Sequence, residues 1–287
     1  MTSFLEKYKR QPKIYVDLPS KGEFYNETVL EDEQFIQMPV FGMTAMDEIM
    51  LKTPDALFSG EATSQVIQSC VPYVKNPWAI VGYDLDFLLI AIRIATYGEE
   101  LPVDTTCPHC SHTTKSAINL NTLLENFSQY PTTAQFTMGN LTVKLRPMDY
   151  KTTTEFNMKQ YQLEKTMANL NQSDLSSDEK DAKITELLFE TSKLNLLIAV
   201  SHIVSIEADG EAESNPEIIY NFISENDSEF YNSLRENIKT LTDRWKLPNI
   251  DVQCANEECQ ILYPTKLNMD YSSFFGLPSS RSRTLKF

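Results

Sequence analysis

Apolar positions along the chain change period several times, and each change marks an element. Residues 13–18 alternate apolar and polar, the period of a half-buried strand, and run into the turn formers Pro19, Ser20, Lys21 and Gly22. Residues 31–41 read as a second extended stretch. Thr44 with Asp47 three residues on has capping-box spacing. It opens a helix whose apolar face is Met46, Ile49 and Met50 and which Pro54 stops. A second helix is predicted over 61–70, before Pro72, and a third over 84–97, with Gly98 as its C-terminal stop. This third helix is apolar on nearly every side (Leu85, Phe87, Leu88, Leu89, Ile90, Ile92, Ile94), which places it at the centre of a core.

Further on, residues 135–143 read as a hairpin around Gly139 and Asn140. Two long helical patterns follow, one marked by Phe156, Leu163, Met167 and Leu170, the other by Ile184, Leu187, Leu188, Leu194 and Ile198. The short polar linker 171–179 predicts that they pack as a hairpin. A strand over 202–206, a helix opened by Pro216 and a last amphipathic helix (Phe230, Leu234, Leu241, Trp245) ended by Pro248 complete this region. The predicted class is α+β. An N-terminal region of strands and helices covers 1–100. A two-hairpin module is split between 101–119 and 249–267. A mainly helical insertion with one hairpin fills 120–248, and 268–287 form an extended tail.

Charge changes the picture next. The net charge is −15, but it is uneven. Lys7, Lys9, Arg10 and Lys13 against Glu6 make the first 13 residues +3, and Arg281, Arg283 and Lys286 make the last eight +3, leaving −21 for the body. An acidic body repels nucleic acid, whose binding rests on neutralised phosphates. The basic ends are either solvated or dock on acidic patches of neighbouring subunits. The opening residues carry no apolar signal segment, and the most apolar run, 87–95, is interrupted by Arg93 and too short for a bilayer. The expectation is a protein of the reducing cytosol without structural disulfides.

That expectation gives the cysteines their meaning. Cys107 and Cys110 form a Cys-x2-Cys knuckle; Cys254 and Cys259 form a Cys-x4-Cys knuckle. Each knuckle lies between extended flanks, and 143 residues separate Cys110 from Cys254. Zinc takes four soft ligands in a tetrahedron, and a knuckle supplies two thiolates from one tight turn. The pattern predicts a split zinc ribbon with Cys107, Cys110, Cys254 and Cys259 as ligands of a structural Zn2+. Four thiolates leave no open position for water, so this zinc is not catalytic. His109 and His112 lie beside the first knuckle as alternative ligands, read here as solvated turn residues. Cys70 reads as a small buried hydrophobe.

No other constellation points to chemistry. Phosphate-binding glycine loops, zinc-protease helices and nucleophile elbows are absent from the sequence, which has only 8 Gly and 3 His. The expectation is a protein that is not an enzyme and has no small-molecule substrate. Arg93 in the apolar helix needs a partner, with Asp86 or Glu99 as candidates. Tyr271, Phe274, Phe275 and Phe287 in the polar tail need a surface to lie on, either a partner or the protein's own body. The tail is expected to add little to the core.

Several blocks in order carry a resemblance. They are Leu18-Pro19-Ser20-Lys21-Gly22-Glu23-Phe24-Tyr25, then Met43-Thr44-Ala45-Met46-Asp47-Glu48 with Pro54-Asp55-Ala56-Leu57, then Leu88-Leu89-Ile90-Ala91-Ile92-Arg93-Ile94-Ala95-Thr96-Tyr97-Gly98 leading into Cys107-Pro108-His109-Cys110. Over residues 13–150 the chain resembles the baseplate hub and hub-assembly proteins of T-even-type contractile-tailed phages. The resemblance implies a hub component or hub-assembly protein that binds other phage baseplate proteins. It also implies host cytoplasm during assembly, followed either by retention in the virion tail baseplate or by an assembly role alone; the acidic body and the short apolar run predict no nucleic-acid or membrane partner. The cysteines alone fit an alternative, a zinc-ribbon nucleic-acid-associated factor, which requires a basic face.

Overall fold

A computed structural model of the chain describes residues 4–31, 35–127, 134–171, 173, 175–247, 249–265 and 274–275. β1 (Ile14–Val16) and β2 (Met38–Val40) pair antiparallel, with Tyr15 opposite Pro39. α1 (Ala45–Met50) begins at the expected capping box: the Asp47 N–H donates to Thr44 Oγ1 and the Thr44 N–H donates to Asp47 Oδ2. Its apolar face is not where the pattern put it. Met46 and Ile49 are exposed, and Asp47 is buried. The reason is polar: Ser69 Oγ donates to Asp47 Oδ2 at 3.0 Å and Arg10 lies 3.8 Å from it, which turns the cap inward. Nor does Pro54 end α1. It takes the first turn of α2 (Pro54–Phe58), where its missing N–H costs nothing.

α3 (Glu61–Cys70) and α4 (Gly82–Tyr97) fall as predicted, and Gly98 stops α4 in the left-handed region at φ 93°. Leu88, Leu89, Ile90, Ala91 and Ile92 of α4 have no exposed surface. β3 (Glu100–Thr106) and β4 (Thr113–Asn119) form one hairpin, followed by α5 (Leu120–Phe127). Phe127 meets Phe87 of α4 edge-on, with centroids 5.6 Å apart.

The chain divides into two compact units, one made of 1–77, 84–130 and 246–287, the other of 78–83 and 131–245. In the second unit β5 (Ala134–Met138), β6 (Leu141–Leu145), β7 (Ile203–Ala208) and β8 (Glu211–Glu213) form one antiparallel sheet in that order. β8 was not foreseen. Its signal is Asp209-Gly210, both left-handed (φ 54° and 86°), a two-residue hairpin turn. α6 (Tyr150–Asn171) and α7 (Ser177–Ser201) pack on each other. Of the positions that marked α7, Leu194 is buried while Leu188 is exposed. α8 (Pro216–Glu225) and α9 (Ser228–Arg244) bury Ile219, Ile223, Phe230, Leu234 and Leu241. The chain then rejoins the first unit as a second hairpin, β9 (Ile250–Gln253) and β10 (Leu262–Thr265). Among the described residues, no helix is long and apolar enough to cross a membrane.

Two expectations about the termini and Arg93 are corrected. Phe274 and Phe275 belong to the core of the first unit, 2% and 5% exposed. The partner of Arg93 is neither Asp86 nor Glu99: its Nη1 donates to the Phe274 carbonyl, and its guanidinium lies 5.2 Å from the Tyr97 ring and 5.3 Å from the Phe274 ring. A main-chain carbonyl and two ring faces solvate the cation, and no carboxylate among the described residues pairs with it. At the other end Arg10 docks on its own chain, donating to the Gly42 and Ser69 carbonyls. The rest of the predicted tail, with Tyr271, Arg281, Arg283, Lys286 and Phe287, lies outside the described residues, as does Pro248.

Candidate metal centre

Both knuckles are closures of a β-hairpin. The last hydrogen-bonded pair of the first hairpin joins the Cys107 N–H to the His112 carbonyl at 2.9 Å; in the second, the Cys254 N–H bonds the Ile261 carbonyl at 3.0 Å. Cys107 and Cys254 thus occupy the same ladder position. The second turn is two residues longer, which accounts for x4 against x2. Each turn ends in a left-handed residue directly after its second cysteine, Ser111 (φ 57°) and Gln260 (φ 48°). That reversal brings Cys110 and Cys259 back over their partners.

The four predicted cysteines converge. Their sulfurs all lie within 4.8 Å of one another. Cys107 Sγ is 3.9 Å from Cys259 Sγ, and Cys110 Sγ is 3.5 Å from Cys254 Sγ. Disulfide sulfurs sit about 2.05 Å apart, so these are four thiols. A tetrahedron with metal–sulfur bonds near 2.3 Å puts its sulfurs about 3.8 Å apart, between the 3.5 Å and 3.9 Å of the two pairs. The donor set and geometry fit a metal ion.

The surroundings hold the sulfurs in place. Cys107 and Cys254 are buried and pack with Val252 and Tyr263. The hairpins are tied near the sulfurs by the Ala255 N–H donating to Thr114 Oγ1 at 3.1 Å and by a 2.7 Å bond between the Thr105 and Tyr263 hydroxyls. The His112 N–H draws the Cys110 thiol down to about 7, with help from the facing thiols. Burial pushes Cys254 up, which favours its neutral thiol. His109 and His112 are exposed, and His109 Nδ1 stands 3.7 Å from Cys259 Sγ, outside the sulfur tetrahedron. Cys70 is buried apart from the cluster, its thiol pushed up to about 12 by burial.

One buried polar cluster was missed by the sequence reading. Asp84, fully buried, accepts from the Ser20 N–H at 3.1 Å, from Ser20 Oγ and from Tyr25 Oη at 2.7 Å. Burial raises its pKa and the three donors oppose that rise. The cluster pins the 18–25 turn to the first turn of α4. Its only sequence signal is an acidic residue in the first turn of the most apolar helix.

A family model described as T4 bacteriophage base plate protein matches residues 11–275. No curated protein and no solved structure matches the chain.

Proposed function

The chain belongs to the T4 bacteriophage base plate protein family, and we propose that it is a hub component or hub-assembly protein that works by binding other baseplate proteins around a structural zinc. Family membership over both cysteine pairs carries the assembly role. The sulfur spacing supports the zinc: the four-thiol shell is closed, so the ion acts as a cross-link and not as a Lewis acid. It ties hairpins 143 residues apart in sequence and thereby closes the loop that holds the second unit. In this reading the protein has no catalytic activity, acts in the host cytoplasm during assembly, and contacts neither nucleic acid nor membrane.

The test is genetic and compositional. A phage lacking the chain should assemble no complete baseplates, and mass spectrometry of tail particles before and after baseplate completion should find the chain in the first or in both. Normal baseplates without it would overturn the role. Metal analysis of the purified protein should find one zinc per chain, and folded protein without metal would overturn the zinc.

A further inference from the structure

The two hairpins of the first unit leave a slot between them. A cavity of about 490 Å3 is lined by residues 116–119, by 249–253 and by Thr122, Leu123 and Asn126 of α5. Successive side chains of a strand point to opposite faces, so a cavity against a sheet face meets every second residue. This one meets consecutive residues of both β4 and β9, so it meets their backbone edges. Among the described residues β4 pairs only with β3, and β9 only with β10.

The register shows which groups are free to face it. In the first hairpin the bonded pairs are fixed at one end by Cys107 with His112 and at the other by Leu120 with Glu99. Antiparallel pairs alternate, so Ser116 and Ile118 bond to β3, while Ala117 and Asn119 turn their N–H and C=O groups away from it. In the second hairpin the pair Cys254 with Ile261 fixes the same alternation: Val252 bonds to β10, while Asp251 and Gln253 turn outward. All four outward-turned residues line the cavity.

The far edges are treated differently. Pro102 of β3 lies opposite Ala117, and Pro264 of β10 lies opposite Asp251. Both prolines therefore sit where an N–H would point outward, and proline has none to offer. This is the usual protection of an edge against strand addition. The two edges that face each other across the slot carry no proline.

We propose that the slot takes an extended segment of a second baseplate protein as an added strand, completing a five-stranded sheet ordered β3, β4, segment, β9, β10. The proposal rests on the assembly role given above. Main-chain hydrogen bonds on both sides of the segment supply the affinity, as in other cases of strand addition. The slot also sets the segment's chemistry: polar side chains beside Thr122 and Asn126 of α5 and a basic one beside Asp251. The body of a second copy of this chain, at −21 between its basic ends, is the poorer donor.

Hydrogen exchange compares the isolated full chain with the chain in purified baseplates. Amides of Ala117, Asn119, Asp251 and Gln253 should exchange at least tenfold more slowly in the baseplate. If the chain is present there with protection elsewhere but not at these amides, the slot proposal is wrong and the assembly role stands. If the chain is absent from baseplates at every stage, the assembly role fails and the slot proposal with it. The double variant Ala117→Pro, Asp251→Pro repeats in the slot the device of Pro102 and Pro264, and removes no bond within either hairpin. It should keep its metal and lose at least tenfold in incorporation into baseplates reconstituted without the native chain. Unchanged incorporation refutes the proposal, and if the variant does not fold, the exchange measurement decides alone. Light scattering that shows the pure chain dimerising, with these amides protected in the dimer, would overturn the second protein as occupant.

Discussion

Removing the end of the chain tests whether the first unit is complete without it. Arg93 is 1% exposed and Phe274 is 2% exposed. Burial lowers the guanidinium's pKa, a sign that the charge is held at a cost. Phe274 supplies that charge with a carbonyl acceptor and a ring face. Phe274→Ala keeps the carbonyl and deletes the ring, so it should cost about 3–5 kcal/mol, the range for a fully buried phenylalanine. Ending the chain at residue 273 removes Phe275 and the carbonyl as well. It leaves the Arg93 guanidinium without its carbonyl acceptor, which itself costs about 1–3 kcal/mol or more for a charged donor. Together these losses approach the whole stability of an ordinary domain, about 5–15 kcal/mol, so the first unit of the truncated chain should be largely unfolded. Urea unfolding followed by hydrogen exchange of α4 reads the change in the unit concerned. Arg93→Met supplies the control: it should cost clearly less in the Phe274→Ala background than in the native chain, a coupling of about 1 kcal/mol or more. A Phe274→Ala protein within about 0.5 kcal/mol of the native chain would refute the reasoning.

Four further outcomes follow from the same structure. Burial pushes Asp86 up to about 7. Between about pH 4 and pH 7 the native state keeps a proton that the unfolded chain has lost, so stability falls as pH rises through this window. Asp86→Asn should remove that part of the slope and raise the urea midpoint at pH 8 more than at pH 5; parallel profiles would argue against it. Cys107→Ala should lose the metal and unfold both hairpins, seen as loss of exchange protection in β3, β4, β9 and β10, with an effect of several kcal/mol. Ser20→Ala leaves the buried Asp84 with one donor fewer from a side chain and should cost about 1–3 kcal/mol in unfolding free energy. Gly210→Ala places a β-carbon on a residue at φ 86° and should destabilise the second unit by about 1 kcal/mol, detectable as earlier exchange of β7 and β8.

Local chemistry was legible without coordinates wherever it is decided within a few residues. Thr44 with Asp47 caps a helix because donor and acceptor lie one turn apart. Gly98 stops α4 because only the left-handed region ends it there. The cysteine pairs announced themselves because a knuckle is a local turn and a metal must have four ligands. What lies between such signals was harder to read. Met46 and Ile49 have the right spacing for a buried face, yet they are exposed, because Arg10 and Ser69 claim Asp47 from distant positions in sequence. The 211–213 strand is too short and too polar to declare itself, and exists because β7 offers it an edge.

The sequence by itself thus determined the longer helices, the main hairpins, the capping, the four-cysteine set and the baseplate resemblance. These rest on periodicity, turn conformation and ligand chemistry, all of which act over short stretches. Only the tertiary structure decided that Phe274 seals Arg93, that Ser20 and Tyr25 close on Asp84, and that β4 and β9 face each other as unprotected edges while Pro102 and Pro264 guard the far ones. Each of these joins residues more than fifty positions apart or depends on which neighbour a strand finds. Periodicity carries no information about such pairings; burial and register do.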